Sequence, residues 1–259
     1  MSLQAAFAPH DWAVLSGALR LKPLAQRDRQ RSRSPRALLD EPACLELLDQ
    51  LGPVIGSPTR AITASLLAKR FSFLATGACL YAMSVCDQGL LLSLDDCVLE
   101  YGHDDGVWTS SMPLADRAPQ GYAAGEREAW RAAIVESLFA GVLAPLWQVF
   151  NRVSGISRRI LWENTAVRVY SLYEKRMGKV DDPLVRLRHE ADFHWLLEEA
   201  EPRLFGLDYN PLRHFRRPPT PIEEGKSIRF RRTCCFYYEA TDPAEYCSTC
   251  PLLRPRKCR

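Results

Sequence analysis

The chain has 259 residues, 47% of them hydrophobic and 25% charged, with a net charge of +3, which is enough for a substantial core in one large domain or two small ones. A charge so close to balance, with no aromatic residues interleaved in the basic run at residues 29–36, argues against nucleic acid as a partner. The longest apolar stretch, residues 71–85, is too short and too mixed with Ser, Thr and Gly to span a bilayer.

The opening residues contain His10 and Asp11 and lack a basic start, so no secretory signal is expected and the protein reads as cytoplasmic. Residues 27–36, R-D-R-Q-R-S-R-S-P-R, are charged, Ser-rich and without apolar periodicity, and read as a mobile loop or linker. Apolar residues at helical spacing predict a helix over 38–51, stopped by Gly52 and Pro53. A second, deeply buried helix is expected to run to about Met83, with Ser57 as N-cap and Pro58 at its first position. Between residues 90 and 112 two short runs flank the Gly/Asp-rich turn G-H-D-D-G and predict a hairpin.

Helical spacing returns over 125–150, where Pro145 should kink or restart the helix. Further helices are expected over 157–177, with Gly178 as a stop, and over 183–200. The Pro-rich stretch beyond Pro202 resists regular structure, and K-S-I-R-F-R-R supplies one strand leading into Cys234. The expected fold is therefore mainly α (α+β): a helical body with one or two small β-hairpins and a C-terminal cysteine-bearing segment. Its divisions are 1–37, partly flexible; 38–222, the helical body; and 223–259.

Several candidate sites fall away on geometry. His189 and His194 lie five residues apart, which rotates one about 140° from the other on a helix and reads as solvated or capped histidines rather than a metal pair. The acid pairs Asp95/Asp96 and Asp104/Asp105 sit where acids mark turns. No nucleophile elbow, phosphate loop or dinucleotide fingerprint is present, so a redox protein of this sequence needs an external electron donor.

The cysteines are different. Of nine, Cys44, Cys79, Cys86 and Cys97 read as small core hydrophobes, because a chain this long does not need disulfide staples. Cys234 and Cys235 are adjacent, and Cys247 and Cys250 follow after eleven intervening residues as a C-x2-C pair. One tetrahedral zinc ion favours two pairs of C-x2-4-C spacing, and adjacent cysteines on an extended chain point apart. A 2Fe-2S cluster presents two irons to four thiolates and accepts varied spacings. Spacing thus favours iron-sulfur, with structural zinc and unrelated or disulfide-bonded thiols as the alternatives. Cys258 reads as a surface thiol or a fifth candidate ligand. Residues 211–233 hold six Arg and one Lys against two Glu, surrounding the cysteines with positive charge suited to a cluster whose negative charge grows on reduction.

The ending C-C-x11-C-x2-C-P resembles that of the FhuF-like siderophore-iron reductases, whose own pattern has ten residues between the pairs. The L-W-E-N run at residues 161–164 is similar to a helical segment of the same family. The resemblance implies that Cys234, Cys235, Cys247 and Cys250 bind a 2Fe-2S cluster. It also implies a cytoplasmic oxidoreductase that passes one electron to the ferric ion of an imported siderophore, of hydroxamate type, and releases ferrous iron. A ferredoxin or flavin reductase would reload the cluster. Trp162, Tyr170, Tyr173, Arg216 and Arg217 are candidate walls of the chelate cavity. The competing reading is a non-enzymatic zinc- or iron-sulfur-binding interaction or sensor protein.

Overall fold

A central helix surrounded by helices organises the molecule, in a computed structural model that describes residues 3–223 and 225–255. The helices are α1 (Pro9–Ala13), α2 (Glu41–Val54), α3 (Arg60–Ser84), α4 (Arg127–Leu138), α5 (Ala144–Ser154), α6 (Arg158–Ser171), α7 (Pro183–Glu198) and α8 (Pro211–Phe215). Among the described residues eight short strands accompany them: β1 (Leu21–Pro23), β2 (Ser32–Arg33), β3 (Leu99–Glu100), β4 (His103–Asp104), β5 (Val107–Trp108), β6 (Met112–Leu114), β7 (Thr220–Glu223) and β8 (Lys226–Ile228). The fold is mainly α with small sheets, as the sequence implies.

Helix α3 is buried on almost every face from Ile62 to Ser84, as expected of a helix that is apolar all round. Its N-cap is Thr59, whose hydroxyl accepts from the Ile62 amide, rather than Ser57. Ser57 instead bonds Thr63 and the Thr59 carbonyl. Helix α2 likewise begins later than its apolar periodicity suggests, because Asp40 caps it at Ala43. It runs through Gly52 and Pro53 to Val54, so that pair lies inside the last turn.

Helices α4 and α5 are joined by a wide turn over Phe139–Leu143, immediately before Pro145. A proline has no amide hydrogen to offer the preceding turn, and a widened turn absorbs that loss without ending the helix. The combined stretch Arg127–Ser154, and not residues 71–85, is long and apolar enough to cross a membrane by length and composition. Most of it is buried in the protein, with Leu138, Phe139, Leu146, Trp147 and Phe150 fully covered.

Buried polar groups fix how α6 and α7 meet α3. Ser72 and Thr165 hydroxyls bond at 2.8 Å between α3 and α6. Asp192 of α7, wholly buried, accepts from Ser84 and takes both Arg127 and Arg131 of α4 as ion partners at 2.8 and 3.0 Å. A buried carboxylate needs such a full set of donors.

The small sheets are less local than expected. The turn at Asp105 and Gly106, with φ of 50° and 76°, makes a hairpin only of β4 and β5. Strand β3 pairs with β2, and β6 lies parallel to β1. The basic stretch 27–36 thus contributes a strand rather than a mobile loop. Arg31 bridges Asp28 and Asp104, and Arg36 grips Asp95 with two hydrogen bonds.

Candidate metal centre

The cysteine segment is docked on the body by α6. Glu163, 1% exposed, accepts from the amides of Arg232 and Thr233 at 2.6 and 2.7 Å, and from the Thr233 hydroxyl at 2.5 Å. Its neighbour Asn164 bonds the buried Arg231 at 2.6 Å and the Ser65 carbonyl of α3 at 2.9 Å. Ser65 in turn donates to the Cys235 carbonyl at 3.0 Å. These two adjacent polar residues of L-W-E-N therefore fix the chain on the approach to the cysteines, while Leu161 and Trp162 are core. Arg231 also reaches the far arm, its amide bonding the Thr249 carbonyl at 3.0 Å.

The vicinal cysteines do diverge. After Cys235 the chain turns at Phe236, whose φ of 61° is uncommon for a side-chain-bearing residue. The turn brings the Phe236 amide to 3.3 Å from the Cys234 sulfur. Cys235 faces Cys247 with the sulfurs 4.0 Å apart, and Cys234 is the neighbour of Cys250. The Cys250 amide bonds the Cys247 carbonyl at 2.9 Å, closing the C-x2-C turn. Each facing pair takes one thiol from either arm. Among the described residues no group of three or more His, Cys, Asp or Glu is drawn together closely enough to hold a metal ion. Two thiol pairs fit a two-iron cluster, which takes two thiolates on each iron.

Electrostatics favour thiolate at the inner pair. The Cys247 thiol, then Lys69 with its ammonium 3.4 Å away and Arg231, hold the Cys235 sulfur well below the usual thiol range. Cys247 is correspondingly pushed up by Cys235, so the pair shares a proton. Burial pushes Cys234 up to about 11. Thiolates are the metal-binding form, and nearby cations stabilise them.

The Cys247 arm forms part of the wall of an open cavity of about 540 Å³. Helix α6 supplies Val167, Arg168 and Tyr170 to it, α8 supplies Phe215, and the chain from β8 to Arg231 closes the opposite side. Glu174 holds that side in place through ion pairs with Arg216 and Arg229 at 3.1 and 3.0 Å.

Of the predicted wall residues only Tyr170 lines this cavity. Trp162 and Tyr173 are buried in the core, Arg216 lies over the Phe193 ring, and the Arg217 carbonyl accepts from Arg229. Cys44, Cys79 and Cys97 are buried and Cys86 is half-buried. Cys258 lies outside the described residues. His189 is buried rather than solvated, and His194 is exposed beside Glu199, so they do not form a pair. Lys69 and Arg168 were missed. Their only trace is a cation interrupting an apolar helical stripe, a pattern usually left by a snorkelling surface residue.

A helical body carrying paired thiols beside a basic cavity defines a redox protein of the iron-sulfur class. Residues 65–218 match the family described as ferric iron reductase FhuF-like transporter, and residues 231–252 match the FhuF 2Fe-2S C-terminal domain. The chain belongs to the FhuF family, and its cofactor is a 2Fe-2S cluster. The second match opens at Arg231, the residue that ties the cysteine arms to α6. No curated protein matches the chain.

Proposed function

We propose that Cys234, Cys235, Cys247 and Cys250 hold the cluster, and that the protein reduces the ferric ion of a siderophore, of hydroxamate type, in the cytoplasm. The observation that carries this reading is the arrangement of four thiols as two facing pairs, one member of which lines an open cavity. A 2Fe-2S cluster supplies one electron at a time. Cys247 brings the thiol segment to the edge of the space where a chelate sits. Lys69, Arg168 and Arg231 place positive charge on the inner thiols and so offset the negative charge added on reduction. Siderophores bind through hard oxygen donors that favour ferric over ferrous iron, so one electron turns a tight complex into a labile one. A ferredoxin or flavin reductase serves as the donor.

The test is direct. Anaerobically purified protein should be reddish-brown with about two irons and two sulfides per chain. After reduction by dithionite, a ferric hydroxamate should reoxidise it, with about one equivalent of ferrous iron per cluster trapped by a ferrous-specific chelator. Stoichiometric zinc without visible bands would reject the cluster. A cluster that stays reduced with every ferric siderophore would reject the reductase reading.

A further inference from the structure

A second cavity, of about 310 Å³, lies on the other side of Lys69. It is lined by four cations, Lys69, Arg70, Arg168 and Arg176, together with Phe73 and Trp108, and among the described residues no carboxylate lines it. The guanidinium carbons of Arg70, Arg168 and Arg176 stand 5.3, 5.8 and 5.0 Å from the centre of the Phe73 ring, so three positive charges converge on one aromatic side chain.

Among the described residues these cations meet no carboxylate. Arg70 donates to the hydroxyl and carbonyl of Ser110, Arg168 to the Lys69 carbonyl at 3.4 Å, and Arg176 to the Ala18 carbonyl at 3.5 Å. Elsewhere arginines such as Arg36, Arg60, Arg127 and Arg152 each meet a carboxylate. Burial and the neighbouring Arg20 and Arg168 push Arg70 down to about 10, as expected of a cation surrounded by like charge. The thiolates of Cys235 and Cys247 offer a counter-charge to Lys69 and Arg168, but among the described residues no thiolate acts on Arg70.

We propose that this cavity binds a small multivalent oxyanion bearing carboxylate or phosphate groups, and that its occupancy is coupled to the cluster through Lys69. Guanidinium forks match the geometry of both oxyanions, and the aromatic walls exclude water around them. Lys69 forms part of both cavities and touches the Cys235 sulfur. An anion drawing on the same ammonium weakens its support of the reduced cluster, so the anion binds the oxidised protein more tightly. The coupling rests on the cluster sitting at the four cysteines, whereas the anion site does not.

The experiment is calorimetric titration of the intact protein with tricarballylate, a metal-free tricarboxylate, and with inorganic phosphate, at constant ionic strength. It is repeated on Arg70→Gln and Arg176→Gln, with far-ultraviolet dichroism and the visible spectrum as checks on fold and cluster. Saturable binding of at least one probe is expected, weakened at least tenfold in each variant; the tighter probe identifies the ligand as carboxylate or phosphate in kind. With that probe saturating, the cluster potential should fall by roughly 28 mV, a threefold affinity difference at 59 mV per decade for one electron. Binding of neither probe by the wild-type protein, or binding unchanged in both variants, would overturn the site. Binding with no change in potential would overturn the coupling. None of these readouts needs turnover, so a protein that fails to reduce a siderophore still answers the question.

Discussion

Lys69 is the residue on which the centre's charge turns. It lies in the buried run of α3, yet its ammonium sits 3.4 Å from the Cys235 sulfur and 5.1 Å from the Tyr237 ring centre. Removing one such charge near the cluster is worth on the order of 1 kcal/mol at the intermediate dielectric of a half-buried site, so Lys69→Met should lower the cluster potential by roughly 40 mV. Dye-mediated titration followed in the visible spectrum measures it, and an unchanged potential would remove Lys69 from this role. The remaining cysteines give the converse expectation. Burial pushes the Cys44 and Cys97 thiols up to about 12 and raises Cys79 and Cys86 as well, so all four are protonated core groups. Serine at any of them should leave the cluster spectrum intact, whereas serine at Cys234, Cys235, Cys247 or Cys250 should alter or abolish it. The thiol pattern was legible because its chemistry is adjacent in sequence. Lys69 was not, since its partner lies 166 residues away.

At the scale of elements, α6 is both core helix and clamp. Glu163 satisfies three donors of the approaching chain, and a buried donor left without its acceptor costs about 1–3 kcal/mol. Glu163→Ala should therefore leave the helical dichroism near wild type while the cluster is lost at least tenfold faster under aerobic conditions, as followed by bleaching. A cluster as durable as the wild type would show that the clamp is unimportant. The L-W-E-N run stood out in the sequence, but its role depends on what passes over α6. The same limit explains the strands. The β4/β5 hairpin was legible from its Asp-Gly turn, whereas β1 with β6 and β2 with β3 join residues about seventy to ninety apart. The 27–36 stretch looked mobile because Asp95 and Asp104, which hold its arginines, lie far along the chain.

For the molecule as a whole, pH should act first through histidine. Burial lowers His103, His189 and His214 below their ordinary value, and the buried His189 Nε2 has no hydrogen-bond partner among the described residues. The unfolded chain then binds more protons than the folded one once pH falls below about 6.5. Stability is fully present above that value and is lost as pH drops through the lowered folded values. The arginine-paired Asp49 and Asp95 are shifted down from the carboxylate range and act only at more acidic pH. The thermal midpoint should accordingly be lower at pH 5.5 than at pH 7.5, and His189→Gln should flatten that dependence; equal midpoints in the wild-type protein would contradict it. Basic groups near the thiols should also make loading by an acidic ferredoxin weaken with salt, since exposed charges are screened over about 8 Å at physiological ionic strength.

The pairing of thiols across the two arms has a topological consequence. Were one iron held by Cys235 and Cys247 and the other by Cys234 and Cys250, the cluster would close two nested rings, the inner lying wholly within the outer. Either ring alone keeps the loop shut, because the chain entropy regained by opening one is withheld by the other. Had each iron been held within a single arm, the loop would hang on one bridging linkage. The folded tail would thereby be protected against stepwise loss of its metal.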